Sequence, residues 1–339
     1  MYSLGIESTA HTIGCSVIKV YPEKLESDHR GKILSDVRAV YKAPTGTGIH
    51  PREASRHHCE KAPYIVKKSL NDSGIKAADL DIIAYSAGPG LGPCLRVGAV
   101  LARTLAAFHH KPLVPVNHAL GHIELGLMLT NSLDPLVLLV SGGHTMILGF
   151  NNKKWRVFGE TLDITIGQLL DQFGRAMGFA SPCGSVIEQL ADESSLRYLP
   201  LPYIIKGNDV SLSGLLTAAI ERGNEKNTLL ADVCYSLQET SFAILTEAVE
   251  RALSFSNKNE VLIVGGVAAN KRLGQMLRGA CKRLSSSLFI CPIHYAGDNG
   301  AQIAWTGAID HLSTGNRIEV EKAAIQQSWR LDTVEVAWR

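Results

Sequence analysis

Short apolar runs separated by small-residue turns set the pattern of the first third of the chain. Residues 2 to about 20 alternate apolar and small polar side chains around Gly5, Gly14 and Cys15, the period of two expected of strands. They predict two strands joined by a Ser8-Thr9-Ala10-His11-Thr12 turn, with a further strand from Arg38 to Tyr41. Thr45 to Pro51 reads as loop, and the pattern turns helical from Arg52 to Asn71. Ile82 to Ser86 is a short buried strand entering the Gly88-Pro89-Gly90-Leu91-Gly92-Pro93 loop, and an Ala-rich helix follows from Arg96 to His109. Pro112 to Val116 predicts another strand, and Asn117 is a good N-cap for a helix that starts directly behind it.

The plan then repeats. Pro135 to Val140 is a buried strand ending in Ser141-Gly142-Gly143-His144-Thr145, with Met146-Ile147-Leu148 and Lys153 to Phe158 continuing a sheet. Helices are predicted over Ile166–Met177, Ser185–Glu193 and Leu229–Leu253. Val261 to Val264 is a buried strand that runs into Gly265-Gly266-Val267-Ala268-Ala269-Asn270 and a basic helix. A final helix is predicted from Ala301 to Ile309, behind a Gly297-Asp298-Asn299-Gly300 turn. Strands alternating with helices indicate an α/β fold. At 339 residues the chain favours two lobes. We expect an N-terminal lobe over 1–115, completed by 302–339, and a second over 116–301, packed around a shared cleft.

Composition narrows the class. A net charge of +2 holds no polyanion by overall attraction, so a nucleic-acid partner would need a local basic patch. Two clusters qualify: Arg52, Arg56, His57 and His58, which we favour, and Lys271, Arg272, Arg278, Lys282 and Arg283. Seven scattered cysteines with no CxxC pair suit a reducing compartment and argue against a disulfide framework. No signal-peptide pattern opens the sequence, and apolar runs fall short of the ~20 residues a spanning helix needs. These features predict a soluble cytoplasmic protein without membrane contact.

The sharpest chemical signal is His118 and His122. Side chains at i and i+4 share one helix face, so both imidazoles can reach one cation. Asp298, in its glycine-flanked turn, is a hard oxygen ligand able to complete such a set, although spacing does not establish the pairing. Three turns after buried strands, at Glu7–His11, Ser141–Thr145 and Gly265–Asn270, bring backbone N–H groups where an anion can approach. None matches a P-loop or GxGxxG pattern. Asp171 and Glu188 lie on successive predicted helices; carboxylates there could bond ribose hydroxyls, but spacing alone favours a solvated helix face.

Together Asn117-His118-Ala119-Leu120-Gly121-His122, Val140-Ser141-Gly142-Gly143-His144-Thr145, Ser213-Gly214-Leu215-Leu216-Thr217-Ala218, Gly265-Gly266-Val267-Ala268-Ala269-Asn270 and Asp298-Asn299-Gly300-Ala301 carry a family resemblance. The chain closely resembles, over essentially its whole length, the tRNA threonylcarbamoyladenosine synthases, the TsaD-like proteins once described as endopeptidases. Gly48-Ile49-His50-Pro51-Arg52-Glu53-Ala54 and His57-His58 look like the archaeal and eukaryotic branch, the catalytic subunit of the KEOPS complex. The resemblance implies a two-lobed actin/Hsp70/sugar-kinase (ASKHA) fold with a nucleotide and metal cleft between the lobes. It implies one divalent metal, Fe2+ or alternatively Zn2+, on His118, His122 and Asp298. It implies nucleotide contacts at Leu139, Val140, Ser141, Gly142, Gly143, Asp171, Gly184, Glu188 and Asn270, with threonylcarbamoyl-AMP as substrate and ATP or AMP able to occupy the cleft. Two positions depart from the family pattern. Leu139 stands where archaeal-type members usually place a metal-ligating tyrosine, and Pro182-Cys183-Gly184-Ser185 replaces a Pro-Gly-Gly-Pro turn.

The implied activity is transfer of a threonylcarbamoyl group from threonylcarbamoyl-AMP to the exocyclic amine of the adenosine beside the anticodon of tRNA. His11 is the candidate proton acceptor, with loop hydrogen bonding as its plain alternative. A metalloendopeptidase is the first rival, but zincins need HExxH and Ala119 stands where the glutamate belongs. An ASKHA-type phosphotransferase would need no histidine pair. The family also implies KEOPS-type partners, including a small protein kinase used as an ATPase. No kinase H-R-D loop occurs before Arg339, so such a kinase is a separate chain or domain.

Overall fold

The computed structural model describes residues 1–24 and 30–339. Its first half comprises β1 (Tyr2–Glu7), β2 (Thr12–Val20), β3 (Gly31–Val40), α1 (Pro51–Ser73), β4 (Ile82–Gly88), α2 (Gly92–His109), β5 (Leu113–Asn117) and α3 (His118–Thr130). Then come β6 (Leu136–Val140), β7 (Thr145–Asn151), β8 (Lys154–Glu160), α4 (Ile166–Ala176) and α5 (Gly184–Asp192). A minimal hairpin, β9 (Ile205–Lys206) and β10 (Asp209–Val210), precedes α6 (Ser213–Gly223) and α7 (Leu230–Phe255). The last elements are β11 (Glu260–Val264), α8 (Lys271–Arg283), β12 (Ser287–Ile290), α9 (Ile293–Ala296) and α10 (Gly300–Thr314).

Two five-stranded mixed sheets form the frame, ordered β3-β2-β1-β4-β5 and β8-β7-β6-β11-β12. Their pairing is the same strand for strand. In each, the first three strands are an antiparallel meander, and the other two add parallel to its first strand. The fold is α/β, as the alternation of elements predicts.

Apolar patterning explains the layers. α1 and α2 put Ile65, Val66, Ala102 and Ala106 against one face of the first sheet. On its other face, Ala84 and Val114 meet Leu125 of α3 and Ala304 and Ala308 of α10. The opposite side of α3, through Ala119, Ile123 and Leu127, packs on Val137 and Leu139 of the second sheet. Enclosed by both sheets, α3 is apolar nearly all round, as a fully buried helix must be. The far face of the second sheet is covered by α4 to α8. After α10 the chain follows the first sheet, pairing Ile318 with Leu113, and then places Leu331 and Val336 in the core beneath the second.

Element boundaries differ from expectation where the pattern is weak. β3 starts well before Arg38, because this edge strand is half-exposed and shows little alternation. α2 starts at Gly92, since Pro93 supplies the preset φ of a first helical turn. β12, which the pattern does not predict, is a four-residue, partly exposed edge strand.

α10 lies unusually close to the first sheet. A Cβ on Gly5 would stand 2.2 Å from Ala304 N and Gly300 O, and one on Gly300 would stand 2.6 Å from Ser16 N. Glycine is therefore required on both sides of the contact. Gly5→Ala should destabilise the fold by about 3 kcal/mol through overpacking, read as a lower urea midpoint. An unchanged midpoint would contradict this packing.

Candidate metal and nucleotide site

Three chain segments converge at the ends of β1, β5 and α9. At the first, β1 delivers Glu7, which is fully buried, and the following turn folds back on it. Thr9 donates from its backbone N and its hydroxyl to Glu7 Oε1, both at 2.6 Å. His58, buried on α1, bonds the Ala10 carbonyl at 3.1 Å and so fixes the turn that presents His11. Burial and the neighbouring His57 push His58 down to about 4, which keeps it neutral and makes its Nε2–H the donor.

At the second segment α3 begins on the first histidine of the pair. Asn117 caps it as expected, accepting from Leu120 N at 3.1 Å. The His118 and His122 rings meet edge to face, one turn apart, with centroids 4.7 Å from each other. His118 Nδ1 lies 2.9 Å from Glu7 Oε2, and this carboxylate holds the proton on Nδ1. Nε2 is thereby left to face Asp298 Oδ1 at 3.6 Å, and His122 Nε2 faces the same oxygen at 3.3 Å.

The third segment is the turn before α10. Asn299 caps that helix through Gln302 N and donates from Nδ2 to the Tyr295 and Gly297 carbonyls, which sets the backbone on both sides of Asp298.

The donor atoms of His118, His122 and Asp298 all lie within 4.8 Å of one another. His122 Nε2 is buried, not aligned for a hydrogen bond to Asp298, and has no other partner among the described residues. An orphaned imidazole nitrogen facing a carboxylate is the arrangement a divalent cation satisfies, so the residues fit a metal. The Glu7–His118 bond is the carboxylate–imidazole contact that orients ligating histidines. Electrostatics agree. Burial opposes charge on His118, but Glu7 and Asp298 override it and raise the imidazole to about 9. Burial also opposes ionisation of Asp298, yet His122, His118 and His11 draw it well below the usual carboxylate range. His122 is held down by burial first and by His118 among its neighbours.

Leu139 lies fully buried in β6 with an apolar side chain among Ala119, Ile123 and Val264, and offers no ligand atom. His144, absent from the expected site, comes near instead. Its ring is 6.4 Å from that of His118, and its buried Nδ1 has no partner among the described residues. Burial, then the two other histidines, push it down to about 3. Glu7 is a second functional residue that sequence reasoning missed. Both residues stand in turns that the sequence singles out, but only packing shows their direction.

The expected nucleotide residues form one connected ring. Leu139 and Val140 contribute the buried end of β6, so only their backbone faces the ring. Ser141 Oγ accepts from Gly143 N and His144 N, closing the turn. Gly142 and Gly143 stay exposed, with open space for 4 Å around the point where a Cβ would stand. Thr165 bonds the Gly142 carbonyl at 2.9 Å and caps α4, which carries Asp171. Asp171 accepts from Cys183 N at 2.7 Å, where Gly184 opens α5, and α5 carries Glu188. Glu188 accepts from Lys271 N at 2.8 Å. Asn270, the cap of α8, bonds Gln238 at 2.9 Å, and Gly265 at φ +96 returns the chain against the Val140 carbonyl. The ring surrounds the carboxyl ends of the parallel strands β6 and β11, the usual ligand position in α/β sheets.

Fold and site together define an α/β protein of two matched mixed sheets with a buried His–His–Asp centre compatible with a divalent metal. The chain belongs to the TsaD family of tRNA N6-adenosine threonylcarbamoyltransferases, whose family model matches residues 32–305. It is 44% identical to the tRNA N6-adenosine threonylcarbamoyltransferase of Caldivirga maquilingensis, covering 100% of this chain and 98% of that one. The Ignicoccus hospitalis protein of the same name is 46% identical, with 100% of both covered. A probable bifunctional tRNA threonylcarbamoyladenosine biosynthesis protein from Methanothermobacter thermautotrophicus is 45% identical, and this chain spans 61% of its length. Among solved structures, HypF of T. kodakarensis shares the fold at 14% identity and a TM-score of 0.58, over 90% of this chain and 47% of that one. Component A of the Acidaminococcus fermentans (R)-2-hydroxyglutaryl-CoA dehydratase does so at 12% identity and a TM-score of 0.53, over 91% and 97%.

Glu7→Gln removes the charge behind His118 and should weaken divalent-metal binding by about 10- to 100-fold. Metal titration of the folded variant, with circular dichroism as the control for folding, is the check.

Proposed function

We propose that this chain transfers a threonylcarbamoyl group from threonylcarbamoyl-AMP to the exocyclic amine of the adenosine beside the anticodon of tRNA. The observation that carries this reading is the His118–His122–Asp298 triad with its orphaned nitrogen, in a chain aligned over its full length with threonylcarbamoyltransferases. A metalloendopeptidase is not favoured, because Ala119 is wholly buried where a water-activating glutamate would be needed.

His118, His122 and Asp298 would hold the cation, Fe2+ in our reading with Zn2+ the alternative, since imidazole and carboxylate donors suit both. When bound, it supplies Lewis-acid polarisation of the donor's oxygens. The Ser141–Gly143 turn, open above its glycines, receives the AMP phosphate, and Asp171, Gly184, Glu188 and Asn270 surround its ribose and base. The adenine nitrogen bonds to the carbamoyl carbon, the bond from that carbon to the phosphate oxygen breaks, and AMP departs. One amine proton passes to His11, whose turn is held by His58 and Glu7. His144, near His118 and with its Nδ1 unpartnered among the described residues, is a further group able to bond the donor. An adenine amine is a weak nucleophile, so fixing both reactants contributes much of the rate.

In this reading the two sheets are the cores of two ASKHA lobes, 1–115 completed by 302–339 and 116–301, with nucleotide and metal in the cleft between them. The packing of α10 on β1 and β2 supports joining that helix to the first. We take the protein to work in the cytoplasm within a KEOPS-type assembly that includes a small kinase-like ATPase. Seven free cysteines favour the location, and no helix among the described residues is long and apolar enough to cross a membrane. The longer bifunctional relative favours a further functional unit beside this one.

The double variant His118→Ala/His122→Ala should lose both bound metal and transfer to unmodified tRNA while staying folded, since a catalytic metal is seldom the core of so large a domain. Elemental analysis beside the transfer assay decides; full metal occupancy in the variant would overturn the site. Glu188→Ala should lower AMP affinity about 10-fold by calorimetry, the order expected for one lost charged hydrogen bond, without changing metal content.

A further inference from the structure

The sequence offers two basic clusters, and the structure separates them. On α1, Arg56 is paired with Glu53 at 2.8 Å and approaches Glu60 at 3.9 Å, while His58 is buried beneath the Ala10 carbonyl. On that face Arg56 is thus compensated, while Arg52 is exposed and has no ion pair among the described residues. α8 is different. It carries five basic residues and no acidic one.

Two of the five are neutralised by the helix beneath. Arg272 is gripped through two nitrogens by Glu239, each at 2.6 Å, and Arg283 pairs with Glu250 at 2.5 Å. Lys271, Arg278 and Lys282 are exposed, and among the described residues none has an acidic group within salt-bridge distance. With Gln275 they stand at i, i+4, i+7 and i+11, a single stripe about 16 Å long. The neutralised arginines lie off that stripe, on the side facing α7.

Along the stripe runs a groove of about 350 Å3, walled by Lys271, Gln275 and Arg278 on one side and by Cys291 and Ile293 on the other. Ile293 is 73% exposed, an apolar shoulder beside the cations. Gly274 lets α8 sit low against β12, since a Cβ there would come within 3.1 Å of Ile290 Cδ1. One end of the groove is Asn270, part of the nucleotide ring, and Ile293 stands five residues before Asp298.

We propose that this stripe and groove dock the phosphate backbone of the RNA substrate and lead its reacting adenosine toward the metal centre. The inference rests on the tRNA-transferase reading. A row of uncompensated cations longer than any single small anion, on a protein of near-neutral net charge, matches a polyphosphate strand. Lys and Arg on a helix face contact phosphates without reading sequence, which suits an enzyme whose specificity is completed elsewhere.

The test is fluorescence anisotropy with an unmodified tRNA transcript over a range of KCl concentrations, comparing the wild type with Arg278→Gln/Lys282→Gln. Both side chains are exposed and outside the nucleotide ring. We expect about 10-fold weaker binding, with the slope of log affinity against log salt shallower by about 1.5. Metal content and AMP affinity should be unchanged. Arg52→Gln/Arg56→Gln should change affinity less than about 3-fold, since Arg56 is already compensated. Unchanged affinity and slope in the α8 variant would overturn the proposal. So would a parallel loss of AMP affinity, which would assign the stripe to the nucleotide site, or a defect confined to binding of a protein subunit. A wild type that binds no tRNA overturns it too, and the transfer assay then shows whether the transferase reading falls with it.

Discussion

The close approach of α10 to β1 and β2, backbone against backbone through Gly5 and Gly300, is the constraint on which the site depends. Asp298 stands two residues before Gly300 and Glu7 two after Gly5, so one contact sets both carboxylates. α3, wedged between the sheets, then has a single position in which His118 meets Glu7 and His122 meets Asp298. Any side chain larger than hydrogen at the contact would shift a ligand relative to its partner. The same packing that builds the core fixes the distances of the chemistry.

The site gathers negative charge where helix geometry opposes a cation. α3 and α10 both begin there, and helix N-termini carry partial positive charge. The carboxylates of Glu7, fully buried, and Asp298, partly buried, offset that, and their charge raises the imidazole of His118. A buried carboxylate without such a partner would be costly. The raised His118 therefore marks a place for positive charge, and metal binding there should displace a proton.

The histidine pair was legible because it depends only on helical spacing and on a cap, both local properties of Asn117 to His122. Asp298 was legible as a candidate oxygen ligand from its glycine-flanked turn, but its pairing with the histidines was not, since they lie in a distant segment and no spacing joins the two. Glu7 and His144 escaped for the same reason: each sits in a recognised turn, but its direction is set by α3. Chain order was clear wherever strands were buried on both faces, as with β4 and β6, and blurred at the half-exposed edges β3 and β12. Which basic side chains are compensated was not legible along the chain, because the acids that pair with Arg272 and Arg283 come from α7, a neighbour that no spacing along α8 reveals.

The identical pairing of the two sheets means that the two halves share one plan and differ chiefly around the site. β1 and β6 are equivalent strands, and the hairpin turn after each reads Ser-x-x-His-Thr, as Ser8 to Thr12 and as Ser141 to Thr145. In the first half Thr9 is tied to Glu7, and the turn is a bracket behind His118. In the second half glycines hold the middle positions, Val140 stands where the first half has Glu7, and the turn is open. Likewise α3 and α10 occupy equivalent places, each behind an asparagine cap, with His118 following one cap and Asp298 preceding the other. His11 and His144 thus hold equivalent places in two matching turns, and a scaffold of matched halves is made asymmetric by a handful of differences in its turns.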